Sequence, residues 1–207
     1  MAKKAFDLST QEGREEAAQK ASQDKDVLEQ IVEDLSGSSR TERQRAATTC
    51  VLIAVNDPDV LKPYADDIAD ALNRPEGQTR WEALNAIDLL GKAGSHFGDD
   101  VIASAEDALY DENSGIVREA AFRFCCGYGS VSPSNSDKVW PLIDEAVQCY
   151  HGNPEFNDML TALAEFAEGN ISDESAAALA ERMKFDSENA SGTLRMRAEQ
   201  IVAACAR

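Results

Sequence analysis

The sequence predicts an all-α fold, a solenoid of about five stacked helical pairs. Three observations lead to this prediction. A short pattern recurs five times at nearly constant spacing, apolar residues follow a helical period after each copy, and the alternation typical of β-strands is lacking. Each pair is expected to stack on the next, because one helical pair cannot bury its apolar face alone.

The recurring pattern is an arginine that follows a short polar loop and precedes, in most copies, an alanine three residues later. The anchor positions lie 37, 38, 39 and 38 residues apart, at Arg43, Arg80, Arg118, Asn157 and Arg195. Apolar residues stand seven positions after each anchor, at Cys50, Ile87, Cys125, Ala164 and Val202. Positions three, seven and ten after the anchor form an i, i+4, i+7 stripe, which predicts the buried face of a helix.

This stripe predicts the second helix of each pair, the B helix, at about 41–55, 78–93, 115–129, 155–168 and 193–205. Apolar spacing predicts the first helices, the A helices, near 24–36, 62–73, 98–110, 137–150 and 173–185. Ser39 with Glu42 and Thr79 with Glu82 fit the capping box that begins a helix. Residues 1–23 lie outside the period and are predicted to form a capping helix, with residues 24–207 as one repeat domain.

The third B helix opens with Val117-Arg118-Glu119-Ala120-Ala121, which resembles the start of the second helix in a HEAT repeat. The resemblance covers residues 24–207 and implies a right-handed, armadillo-like α-solenoid whose B helices line a concave surface. The period is slightly shorter than the roughly 40–47 residues typical of such repeats. The acidic residue that often precedes the arginine is present only as Asp111 and, in the last repeat, as Glu188.

Charge and composition exclude several kinds of partner. The net charge of −18 argues against duplex DNA, RNA or an anionic membrane, because such binding depends on Lys and Arg. No apolar run approaches the roughly 20 residues that span a bilayer. Five cysteines in no paired framework are typical of a reducing compartment, so a cytoplasmic location is expected.

No catalytic, cofactor or metal site is expected. His96 and His151 are the only histidines and stand 55 residues apart, and the sequence contains neither a glycine-rich phosphate loop nor a nucleophile elbow. The arginine column is open to two interpretations, an anion-binding ladder or, with more weight, arginines that brace their own loops or pair with adjacent acids. Most cysteines fall in core columns, and the reactivity of Cys126 and Cys149 stays open.

The outer face of the B helices is the predicted partner-binding surface, because large apolar side chains there are typical of interfaces. The function predicted from it is a non-enzymatic scaffold for a protein or peptide, with the partner's identity and the oligomeric state left open. The residues expected to contact the partner are Trp81, Asn85, Leu89, Arg123, Met159, Phe166 and Met196.

Two other functions are weighed against this one. A HEAT-like DNA glycosylase would use aromatic residues such as Trp81 and Trp140, but the acidic charge opposes it. An acidic antagonist would capture a basic protein through the A-helix side. The B helices are nearly neutral in total, so the negative charge lies mainly on the A helices, the loops and the N-terminal segment.

Overall fold

The computed structural model describes residues 6–206, which contain eleven α-helices and no β-strand. The helices are α1 Gln11–Ala21, α2 Lys25–Asp34, α3 Arg40–Asn56, α4 Ala65–Asp70, α5 Gly77–Lys92, α6 Asp99–Leu109, α7 Gly115–Gly129, α8 Pro133–Tyr150, α9 Phe156–Glu168, α10 Asp173–Asn189 and α11 Gly192–Cys205. The prediction of five helical pairs preceded by one extra helix is confirmed. The B helices are α3, α5, α7, α9 and α11, and each begins within one residue of its predicted start.

The second A helix is shorter than predicted. The prediction covered 62–73, whereas α4 itself spans only Ala65–Asp70 and lies between two 3₁₀ turns, Lys62–Tyr64 and Ala71–Asn73. Pro63 gives a physical reason for the late start of α4, because proline has no backbone N–H and disfavours helical geometry in the residue before it.

Hydroxyl side chains begin several of the helices. Ser39 accepts a hydrogen bond from the Glu42 backbone N–H, and Ser114 accepts one from the Val117 backbone N–H, at 3.4 and 3.3 Å. Each bond satisfies a donor that the first helical turn leaves without a partner. The capping box predicted at Thr79 is wrong, because α5 already begins at Gly77 and Thr79 lies buried inside it.

The chain divides into two compact units, Met1–Ala108 (unit 1) and Leu109–Arg207 (unit 2). In unit 1, α1 packs against α2 and α3, as a capping helix would, and α3 packs against α5. In unit 2, α9 packs against α7 and α11, while α8 contacts α7 and α10. B helices therefore stack on B helices within each unit. The single domain over 24–207 stays a prediction.

The column seven residues after each anchor is buried in four repeats, at Cys50, Ile87, Cys125 and Ala164. Val202 in α11 is the exception and is half-buried. The helix α11 packs mainly against α9 and α10. It therefore has one adjoining B helix, whereas α9 has two.

Candidate partner-binding surface

The structure separates the seven predicted partner-binding residues into three groups. Three of them lie half-buried along α5, at Trp81, Asn85 and Leu89. Two belong to unit 2 and are accessible, Arg123 on α7 and Met196 on α11, the latter 58% exposed. The remaining two, Met159 and Phe166 on α9, are buried.

The prediction that Phe166 and Met159 face a partner is wrong. The Phe166 ring is fully buried and approaches Gly129 of α7 so closely that an added Cβ would lie 2.6 Å from it. The same ring stacks on Trp140 of α8, with centroids 6.4 Å apart and planes 9° from parallel. Met159 lies seven residues before Phe166, on the same side of α9, and is also buried. Both residues therefore belong to the core of unit 2.

The three residues on α5 recur at i, i+4 and i+8, so they share one side of the helix. Glu82 lies among them, half-buried, and accepts a hydrogen bond from the Thr48 hydroxyl of α3 at 3.0 Å. Burial raises the pKa of the Glu82 carboxyl, while hydrogen bonds from Thr48, Trp81 and Asn85 act in the opposite direction. We call Trp81, Glu82, Asn85 and Leu89 the α5 surface. It combines an aromatic ring, an aliphatic side chain and a carboxylate held in place by its neighbours.

Sequence reasoning missed Glu82 and Thr48 in this surface. Assigning Glu82 to a capping box gave it a backbone role that the structure does not support. A signal for Thr48 was present, because it stands five residues after Arg43, as Asn85 stands five residues after Arg80. The shared column places both side chains on the same side of their helices.

Arg123 has a different setting. It forms an ion pair with Glu119 one turn earlier in α7. It also borders a shallow groove of about 140 Å³, whose other lining residues are Asp158, Thr161, Ala162 and Glu165 of α9. The groove therefore contains two acidic side chains of α9 beside the ion pair of Arg123 and Glu119.

Two anchor arginines brace adjacent repeats. Arg43 donates from Nη1 to the Gly37 carbonyl of its own loop at 2.7 Å, and from Nε and Nη2 to the carboxylate of Glu76. Arg118 repeats this arrangement with the Asp111 carbonyl, at 2.8 Å, and with Glu155. Glu76 and Glu155 occupy the residue immediately before the next B helix. The bracing interpretation is therefore confirmed for these two arginines.

The ion pairs change the titration of both glutamates. Hydrogen bonds from Arg43 hold the pKa of Glu76 below its usual value. Burial is the largest single effect and raises the pKa of Glu155, but the hydrogen bonds and charge of Arg118, together with a backbone hydrogen bond, outweigh it, so the pKa is lowered. In the last repeat Arg195 lies half-exposed and pairs with Glu199 of its own helix at 2.8 Å.

The described residues give little support for a metal site, a reactive Cys50 thiol or a membrane-spanning helix. Within 6–206, no group of three His, Cys, Asp or Glu side chains is arranged to hold a metal ion. Burial raises the pKa of the Cys50 thiol to about 12, which keeps it protonated near neutral pH. None of the helices described is both long and apolar enough to cross a bilayer.

Comparisons with known proteins agree on the fold. A designed armadillo repeat protein in complex with the peptide (KR)4 matches 94% of this chain and 92% of its own, with a TM-score of 0.72 and 16% identity. An engineered protein matches 97% of this chain and 92% of its own, with a TM-score of 0.63 and 16% identity. The archaeal HEAT-like repeats protein from Thermococcus onnurineus NA1 matches 96% of this chain and 94% of its own, with a TM-score of 0.54 and 16% identity.

No family model matches the sequence, and no curated protein matches it. At these identities the structural matches establish the fold, a HEAT- and armadillo-like repeat of helices.

Proposed function

We propose that the chain is a non-enzymatic scaffold that binds an extended segment of a protein or peptide through the α5 surface. The observation that carries this proposal is the position of Trp81 beside the oriented carboxylate of Glu82, on a helix face that is neither fully buried nor freely exposed. Interfaces concentrate their binding energy in a few such aromatic anchors surrounded by polar groups.

The chemistry of the surface favours a segment that carries at least one Lys or Arg next to an apolar side chain. Glu82 offers a carboxylate to the cation, the Trp81 ring offers an aromatic face, and Leu89 lies further along α5. The designed armadillo repeat protein that shares this fold was solved with a peptide of alternating Lys and Arg. That match supports a basic peptide as the first class of partner to test, and the net charge of −18 is compatible with it.

The test is a selection of displayed random peptides against the full chain, followed by binding measurements with single variants. Trp81→Ala is expected to weaken the selected peptides by about 2 kcal/mol, or about 30-fold in Kd. Phe185→Ala is the matched control, because Phe185 is an aromatic residue of α10 that is 71% exposed and lies outside the α5 surface. Peptides that lose affinity with Phe185→Ala and not with Trp81→Ala would contradict the proposal.

An acidic antagonist is the second candidate, and the A-helix side of unit 1 has a feature that favours it. A groove of about 370 Å³ is lined by residues of α2, α4 and their neighbouring turns, and its acidic residues are Glu29, Glu33, Asp67 and Asp70. A partner held there would dissociate steeply as salt rises, because exposed charges are screened. Glu33→Lys combined with Asp67→Lys would abolish that binding and leave the α5 surface unchanged.

The glycosylase alternative has less support. Trp140 is half-buried and stacks on Phe166, so its ring serves the packing of unit 2. Release of alkylated bases from DNA by the purified chain would overturn the non-enzymatic proposal.

A further inference from the structure

One contact in unit 2 joins three helices through a histidine. His151 follows α8 directly, and its Nε2 lies 3.1 Å from both carboxylate oxygens of Asp186 on α10. Its ring also packs on Phe156, the first residue of α9, with centroids 5.0 Å apart. The imidazole therefore connects the end of α8, the start of α9 and the last turns of α10.

Asp186 depends on this histidine. Its side chain is nine-tenths buried, and His151 is the partner that the structure gives to its carboxylate. A buried carboxylate without a hydrogen-bonding or charged partner is costly, so the contact matters for how α10 packs. His151 also stands at the C-terminus of α8, where a positive charge interacts favourably with the helix dipole.

Other polar contacts between α8 and α10 involve no histidine. Arg182 donates to both carboxylate oxygens of Asp144, at 2.6 and 2.9 Å, and Ser175 donates to Asp137 at 3.1 Å. A histidine, in contrast, ordinarily titrates at about pH 6.5.

Several of the charged groups on the surrounding helices are paired with one another. These pairs are Asp144 with Arg182 across α8 and α10, Glu155 with Arg118 across α9 and α7, Glu181 with Lys184 within α10, and Arg195 with Glu199 within α11. Glu188 lies exposed near the end of α10. Protonation of His151 thus places one added positive charge directly against Asp186.

We propose that His151 and Asp186 form a pH-sensitive clamp that closes more tightly when His151 is protonated. The clamp holds the turn of residues 152–155, which ends at Glu155, the acid that pairs with Arg118. Opening of the turn loosens the start of α9 and with it the bracing between the repeats of unit 2. The clamp does not depend on the α5 surface, which lies in unit 1.

Hydrogen exchange of the full chain tests the clamp, with the amides of Asn153 and Phe156, which donate to the carbonyls of Tyr150 and Asn153, followed at about pH 5.5 and about pH 7.5 and corrected for the intrinsic effect of pH on exchange. In the unmodified chain their protection is expected to fall about fivefold between the two values. His151→Gln, which carries no charge, should show the weaker protection at both. His151→Arg, which is always charged, should show the stronger protection at both.

His96→Gln is the matched control and should behave as the unmodified chain does, because His96 is an exposed residue of unit 1. Equal protection of the unmodified chain at the two pH values would overturn the proposal. So would a His151→Gln variant that keeps the full pH dependence. Should His151→Arg disturb the fold, Asp186→Asn gives an independent test, since it removes the charge on the other partner and should also abolish the pH dependence.

Discussion

Removing the charge of Glu76 tests whether the arginine column holds the repeats together. The Arg43 side chain is 12% exposed and that of Glu76 is 6% exposed, so both charges lie largely out of water. Glu76→Gln keeps the shape of the side chain but leaves the guanidinium of Arg43 without its counter-ion. Breaking a buried pair in this way costs about 3–5 kcal/mol. Because Arg43 keeps the Gly37 carbonyl and some access to water, and Gln can still accept one of its hydrogen bonds, we expect a smaller cost, about 1–3 kcal/mol.

Urea unfolding measures this change in unit 1. In a Trp140→Phe background Trp81 is the remaining tryptophan, so its fluorescence reports the unfolding of its own unit. Lys25→Gln is the control, because Lys25 pairs with Glu29 but is 76% exposed, so the variant should leave stability almost unchanged. A Glu76→Gln variant that loses no more stability than Lys25→Gln would refute the bracing argument.

Three further predictions concern the cores and the glutamates. Phe166→Ala should destabilise unit 2 by about 3–5 kcal/mol in urea unfolding and leave peptide affinity unchanged. A loss of peptide affinity without a loss of stability would contradict the assignment of Phe166 to the core. Ile87→Asp buries a carboxylate and should lower the melting temperature strongly, so an unchanged melting curve would disprove the repeat register. Glu76 and Glu155 have lowered pKa values when folded, so the stability they contribute is present above about pH 4.3 and is lost as acid titrates them. Unfolding curves recorded between about pH 3 and pH 6 should show this loss, and a slope unaffected by Glu76→Gln would contradict it.

The helices could be predicted from the sequence because their periodicity is local. An anchor residue and an apolar stripe occur within each B helix, so its start could be read to within one residue. Pro63 shows the limit of this reading, since the apolar pattern of the second A helix continued through a residue that interrupts regular helix.

The candidate surface was harder to predict, because exposure depends on the opposing helix. Leu89 and Phe166 both stand nine residues after their anchors, yet Leu89 is half-buried and Phe166 is fully buried. Phe166 is buried because Gly129 of α7 has no side chain and leaves room for the Phe166 ring. No pattern within α9 contains that information.

The acidic partners of the anchor arginines could not be predicted from a local sequence pattern either. The bracing role was anticipated from the resemblance, but Glu76 follows Arg43 by 33 residues and Glu155 follows Arg118 by 37. Only the stacking of repeats brings the residue before one B helix to the arginine of the previous one.

The most direct test of the proposed function is calorimetric titration of a selected peptide into the unmodified chain and into Trp81→Ala, at about 50 mM and about 500 mM salt. Binding through the α5 surface predicts a loss of about 30-fold in affinity with Trp81→Ala at both salt concentrations, with the fold preserved by circular dichroism. It also predicts that appreciable affinity persists at high salt, because part of the interface is apolar. Full affinity of Trp81→Ala at low salt, together with loss of all binding at high salt, would contradict the account and place the partner on the acidic A-helix side.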